Sequence, residues 1–149
     1  MKTILISLLL FLTFNAFADC VTDYNGGIGE YEHAASYFDN GLNAYNKAVE
    51  LSQAGNPDFT QICDLLVDST SGFSTSKDFY LRCTESFSAA TTSCSGSDSD
   101  NAKKNKEVCI GNYSIALDNF NAIKNLLKKS CFRNSKELEF VDLQQSEKL

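Results

Sequence analysis

Apolar residues recur along the chain at alternating steps of three and four, which is the period of an amphipathic α-helix. The first such series contains Tyr31, Ala35, Phe38, Leu42, Tyr45 and Val49. A second series beside it is rich in small residues: Ala34, Tyr37, Gly41, Ala44, Ala48 and Leu51. Small residues along one edge let another helix approach closely. We predict a first helix from Tyr31 to near Gly55, with the glycine-rich segment 26–29 as a flexible lead into it.

Three further helices follow from the same pattern. Asn56 is expected to cap the second helix and Pro57 to occupy its first position. The apolar face of the second helix contains Phe59, Ile62, Cys63, Leu66, Val67 and Thr70. The face of the third helix contains Tyr80, Cys83, Phe87 and Ala90. The face of the fourth helix contains Cys109, Tyr113, Ala116, Phe120, Ile123 and Leu127. The Ser- and Thr-rich segment 71–76 predicts a turn, and segment 93–101 predicts a loop.

The predicted fold class is all-α. Four helices with short connections favour an antiparallel up-down four-helix bundle. After Asn134, Leu138 and Val141 have helical spacing, so we expect the tail either to form a short fifth helix or to fray.

The N-terminus has the layout of a secretory signal peptide. Lys2 precedes an apolar run over 4–14, and the small-x-small segment 16–18 forms a cleavage site. The alternative is a membrane anchor, but the run is shorter than the roughly 20 residues of a span and acidic Asp19 follows it. We predict a signal peptide at 1–18 and one domain at 19–149. The mature protein would be extracellular, or periplasmic in a Gram-negative bacterium, without stable membrane insertion.

All six cysteines follow the predicted cleavage site, and an even number in an exported protein predicts three disulfides. Without a CxxC pair and with one histidine, the sequence disfavours a zinc site. In an antiparallel four-helix bundle, the point before the first helix and the point after the fourth lie at the same end. The bundle therefore predicts the pairs Cys20–Cys131, Cys63–Cys94 and Cys83–Cys109.

Catalytic chemistry has little support. Base and nucleophilic catalysis most often use histidine, and His33 is the single histidine of the chain. Glu30 and His33 share a helix face, as in half of a di-iron site, but no second Glu-x-x-His exists. The sequence therefore predicts a non-enzymatic protein without metal or cofactor.

The formal net charge is −6, and the lysines are interleaved with helical apolar positions, which disfavours nucleic acid and anionic membranes as partners. We expect an exported protein-binding module, such as an inhibitor or an immunity-type protein, whose acidic surface meets another protein. Candidate docking acids are Glu30, Glu32, Asp98 and Asp100. The alternative is a carrier that holds a small apolar ligand beside Gly41, Ala44 and Ala48, with tyrosine hydroxyls orienting it.

One short segment has a family likeness. Cys109, Tyr113, Ala116 and Asp118 lie on a helix that resembles one in the plant invertase and pectin methylesterase inhibitors, which are secreted four-helix bundles. The likeness is confined to this segment, and the tightly spaced N-terminal cysteine pair of that family is absent. We therefore assign no family from the sequence.

Overall fold

The computed structural model describes residues 2–131, 138 and 140–149, with side chains from Asp19 onward. The chain forms α1 (Lys2–Ser52), α2 (Phe59–Ser93) and α3 (Gly96–Ser130), and no strand occurs among these residues. The all-α prediction is confirmed, whereas the four-helix count is wrong because three long helices are present. The signal-peptide side chains lie outside the described residues, so the cleavage site stays a prediction.

The predicted turn at 71–76 is the middle of α2. Ser and Gly are used here for a close helix crossing, because Gly72 lies directly against Gly41 of α1. A Cβ atom on Gly72 would lie 2.7 Å from the Gly41 Cα. On either side of the crossing, Ser69 Oγ donates to the Gly41 carbonyl at 2.7 Å and Ser76 Oγ to the Ala34 carbonyl at 2.9 Å. The second and third helices predicted from the sequence are therefore one continuous helix, α2.

Two other boundaries were also wrong. Segment 26–29 is part of α1, and Gly27 is buried where a Cβ would lie 2.9 Å from the Phe87 ring. This glycine therefore permits close packing and does not form a flexible lead. In place of a loop over 93–101, two residues separate α2 from α3, and Gly96 opens α3 with a φ of 58°. Such a positive φ is readily available to glycine.

The cap of α2 also differs from the prediction. Asp58, and not Asn56, is the N-cap, and its carboxylate accepts hydrogen bonds from the amides of Thr60 at 3.0 Å and Gln61 at 3.2 Å. Because the carboxylate satisfies otherwise unpaired amides, it fixes the first turn of α2.

The disulfides follow from the helix count. The structure pairs Cys20 with Cys94, Cys63 with Cys131, and Cys83 with Cys109. The predicted bridge between the last two helices is confirmed, but the Cys20–Cys131 and Cys63–Cys94 pairings are wrong. With three antiparallel helices, Cys20 of α1 lies beside the end of α2, and the end of α3 lies beside the start of α2. Each terminal bridge therefore joins a flanking helix to α2.

Helix α2 lies at the centre of the molecule. Both α1 and α3 pack along it, but they make few contacts with each other. One is a hydrogen bond from Asn105 Nδ2 to the Tyr24 hydroxyl at 3.0 Å. The main core includes Phe38, Leu66 and Phe73, and Leu138, Phe140 and Leu143 pack against it from the C-terminal tail. The space between α1 and α3 is therefore covered by the end of the chain.

Within the part of the chain whose side chains are described, no helix contains a stretch with the length and apolarity of a membrane span.

The glycine crossing gives a stability test. We expect Gly72→Ala to lower the free energy of unfolding by about 2–3 kcal/mol, because the new methyl group meets backbone atoms that cannot move independently. Gly29→Ala is the control: its Cβ would meet nothing within 4 Å, and alanine is expected to stabilise the helix by about 0.5–1 kcal/mol. Denaturant unfolding with the disulfides intact measures both. Equal effects of the two substitutions would contradict the close crossing.

Candidate functional site

The C-terminal tail occupies a groove between α1 and α3. We define the tail as residue 138 and residues 140–149, which are not helical in the structure. The expectation of a fifth helix is therefore wrong for these residues, while segment 132–137 and position 139 lie outside the described part. The groove is defined by five polar side chains from all three helices: Tyr31, Tyr45, Tyr80, Asn112 and Asn119.

Two groove residues bind the first half of the tail through its main chain. The Tyr45 hydroxyl accepts a hydrogen bond from the Val141 amide at 2.7 Å and donates to the carbonyl of the same residue. The Asn119 side chain binds Gln144 in the same manner. Its Nδ2 donates to the Gln144 carbonyl at 2.9 Å, and its Oδ1 accepts from the Gln144 amide at 3.1 Å.

The second half of the tail is held from both flanking helices. Asn112 Nδ2 donates to the Glu147 carbonyl at 2.8 Å, and Asn112 Oδ1 accepts from the Glu147 amide at 2.7 Å. The Tyr31 hydroxyl donates to the same carbonyl at 2.6 Å. Both main-chain polar groups of Val141, Gln144 and Glu147 are thus bound by side chains of the groove.

The tail repeats every three residues. Val141, Gln144 and Glu147 provide the bound main-chain groups and are exposed, whereas the residue before each of them (Phe140, Leu143 and Ser146) is partly buried. Three residues per turn is the period of the polyproline II conformation. The spacing also matches α3: three extended residues span about 10 Å, and the seven residue steps of helix from Asn112 to Asn119 rise about 10.5 Å.

Tyr80 lies below the tail on α2. Its side chain is fully buried, and its hydroxyl faces Ser146 without a hydrogen bond of regular geometry. Burial raises the pKa of Tyr80 to about 12, although the nearby Ser146 side chain opposes the shift. Burial also raises the pKa of Tyr31 and of Tyr45, against the lowering effect of their main-chain hydrogen bonds with the tail. All three tyrosines therefore stay neutral and able to donate hydrogen bonds at physiological pH.

The asparagines are the functional residues that the sequence analysis missed. Asn112 is fully buried and Asn119 is 2% exposed. Both lie in register with Cys109, Ala116 and Ile123, at steps of three and four along α3. A polar amide at a core position needs partners. Two such amides seven residues apart were the signal that a main-chain segment covers this face.

The ligand-carrier hypothesis placed its cavity beside Gly41, Ala44 and Ala48. The close approach of Gly72 fills the space at Gly41, and Ala48 is fully buried. The tyrosine hydroxyls at 31 and 45 contact the tail main chain. A cavity of about 290 Å³ lies instead between the tail and α1, where it is lined by Leu42, Tyr45, Asn46 and Val49 on the α1 side.

The candidate docking acids do not form one site. Glu30 pairs with Arg82 of α2 at 3.0 Å, and Asp100 pairs with Lys103 at 3.0 Å. Glu32 is exposed on α1, and Asp98 lies in the first turn of α3. The structure records no contact between the α1 acids and the α3 acids.

His33 lies on the surface between α1 and α2. Its ring packs on Phe79 at a centroid distance of 5.2 Å, and the Arg82 guanidinium lies 4.0 Å from the same ring centroid. This arrangement is packing between aromatic and cationic side chains. Over the described residues, no group of three or more His, Cys, Asp or Glu side chains has the geometry of a metal site.

Comparison of the chain with protein-family models, with curated proteins and with solved structures gives no match. The function therefore has to be argued from the groove itself.

Removal of an asparagine amide should loosen the tail. We expect Asn119→Ala to lower the free energy of unfolding by about 1–3 kcal/mol, because both main-chain groups of Gln144 lose their partner. Hydrogen exchange at the Gln144 amide should become faster. Asn125→Ala is the matched control, since Asn125 is exposed on the same helix and should change stability by less than about 0.5 kcal/mol. Unchanged exchange at Gln144 in Asn119→Ala would contradict the assignment.

The buried tyrosine predicts a loss of stability at alkaline pH. The folded state holds the Tyr80 proton up to about pH 12, whereas the unfolded chain releases it near pH 10.0. The unfolded state therefore binds fewer protons between these values, so the contribution of Tyr80 to stability is constant below pH 10.0 and is lost as pH rises toward 12. Denaturant unfolding over this range should show a shallower fall in Tyr80→Phe. Identical pH profiles for the two proteins would exclude Tyr80 as a source of the effect.

Proposed function

We propose that the protein is an exported, non-enzymatic protein-binding module whose groove takes an extended polypeptide segment. One observation supports this most directly. Side chains of α1 and α3 bind the main-chain N–H and C=O groups at every third residue of the tail. Main-chain groups are common to all polypeptides, so such a groove suits a segment in any protein that presents the correct spacing.

Disulfides and charge agree with this role. The three bridges are consistent with an oxidising compartment. One bridge joins α1 to the end of α2, and two join α3 and its C-terminal end to α2. The acidic surface favours a basic partner and faster association at low salt. An inhibitor of an extracellular enzyme and an immunity-type protein in the periplasm are the forms of this function that we favour. In both forms, the tail occupies the groove until a segment of the partner protein displaces it.

The cavity beside the tail supports a second candidate, a carrier of a small apolar ligand. Leu42 and Val49 provide apolar walls, and Tyr45 provides a hydroxyl. Asn46, Asp142 and Gln145 also line the space, so an apolar ligand would face polar groups on one side. A native mass spectrum of the purified protein distinguishes this candidate, because a carrier retains extra mass that a peptide-binding module lacks.

Peptide capture by the full chain tests the proposal. In a variant with Phe140→Ala and Leu143→Ala, called here the released variant, the tail loses two of its three side chains that pack on the core. A fluorescent peptide with the wild-type sequence of residues 138–149 should bind the released variant at least about tenfold more tightly than the wild-type chain. The reason is that the wild-type tail competes at a local concentration of about 1 mM.

The groove residues provide the controls for this experiment. Adding Asn112→Ala and Asn119→Ala to the released variant should weaken peptide binding at least about tenfold, since hydrogen bonds to two tail residues are lost. Adding Asn125→Ala should not. Circular dichroism establishes that each protein is folded, and Gln144→Pro offers a second way to release the tail. Folded variants of both kinds that bind no peptide would disprove the proposal.

A further inference from the structure

The tail fills its groove incompletely. The cavity of about 290 Å³ lies where the tail passes over α1, and its walls include Leu42, Tyr45 and Val49 from the helix and Phe140 and Leu143 from the tail. The three helix residues are spaced by three and four, so they form one continuous face. Asn46, Asp142 and Gln145 line the remaining side of the cavity. Along the apolar walls, unfilled space loses dispersion contacts that a larger side chain would recover.

This space bears on which segment can replace the tail. A second copy of the chain would offer an identical tail with identical contacts. It would also lose translational and rotational freedom on association, whereas the tail already attached to the groove does not. A segment that displaces the tail must therefore make contacts that the tail lacks, and the cavity is a place where such contacts are available.

Building on the proposed function, we propose that the groove is made for an extended segment of another protein that keeps the three-residue spacing of the tail but carries a larger apolar side chain, such as Phe or Met, at the position of Leu143. That side chain enters the cavity against Leu42 and Val49. At the exposed tail positions, the groove does not require a large apolar side chain.

The main-chain hydrogen bonds add a second rule. The amides of Val141, Gln144 and Glu147 each donate to a groove side chain, so proline is excluded at these three positions because it has no N–H. Gln145 is exposed, and among the described residues its amide donates no recorded hydrogen bond. Proline is compatible with an extended chain, so the groove tolerates it at that position.

Tyr80 adds a third rule. Its fully buried hydroxyl faces Ser146 of the tail. An apolar side chain at this position would remove a polar neighbour of the hydroxyl, which is unfavourable in a buried site. The segment therefore carries a small polar residue at the position of Ser146.

Peptides of residues 138–149, each with one change, test these rules on the full-length released variant. The Leu143→Phe peptide should bind about tenfold more tightly than the wild-type peptide, because the added apolar atoms leave water and enter the cavity. The Gln144→Pro peptide should bind at least about tenfold more weakly, through loss of the partly buried hydrogen bond to Asn119. The Gln145→Pro peptide is its matched control and should bind within about twofold of wild type.

Coupling between Ser146 and Tyr80 completes the test. The Ser146→Val peptide should bind about fivefold more weakly to the released variant, because the Tyr80 hydroxyl loses a polar neighbour. In a released variant that also carries Tyr80→Phe, the same peptide change should have less than about a twofold effect. This difference measures the contact between the two side chains and excludes a general effect of valine on the peptide.

Each failure has a distinct meaning. If the wild-type peptide binds but Leu143→Phe does not strengthen binding, the inferred segment is wrong and the groove remains a peptide site. If Gln144→Pro and Gln145→Pro weaken binding equally, the three-residue register is wrong. A released variant that self-associates, and that the Leu143→Phe peptide does not dissociate, would assign the groove to a second copy and overturn the inference.

Discussion

A polypeptide segment without helix or strand can pack on a protein core only where the main-chain N–H and C=O groups that leave water find other partners. The C-terminal tail meets this constraint with side chains of the groove, chiefly Asn112, Asn119 and Tyr45. An asparagine amide has a donor and an acceptor side by side, so one residue satisfies both groups of a tail residue. The polar positions of α3 and the extended form of the tail depend on each other, because either one alone would leave buried polar groups unpaired.

The open helix arrangement makes room for the tail. Glycine and serine bring α1 and α2 into backbone contact at Gly41 and Gly72, while α3 packs on α2 and leaves α1 almost free of it. A layer of three helices has less core than a closed bundle. Each disulfide typically contributes about 2–4 kcal/mol, mainly by restricting the unfolded chain. The bridges at Cys94 and Cys131 therefore hold the flanking helices in place where direct contacts between them are few.

The hydrophobic period together with the number of cysteines was enough to predict an all-helical, disulfide-bonded protein and the Cys83–Cys109 bridge. It was not enough to count the helices, because Ser, Thr and Gly favour both turns and close helix contacts. In segment 71–76 these residues form a close helix contact and not a turn. Its packing partner, Gly41, cannot be recognised from local sequence. Two disulfides were therefore predicted with the wrong partners, since one helix more or fewer places the end of the last helix at the opposite end of the molecule. The groove was missed because asparagine is mostly found at exposed positions, so the sequence does not mark Asn112 and Asn119 as buried.

Recognition through the main chain and recognition through side chains place different demands on a groove. The first needs regularly spaced amides and hydroxyls, which the described helices present at intervals that match an extended chain. The second needs cavities, and the tail leaves one beside Leu42 and Val49. A tail that filled every cavity would be hard to displace, whereas one held mainly by its main chain stays in place only until a better anchored segment arrives. The incomplete fit is therefore what a covering segment needs if the groove beneath it is to be used by a partner.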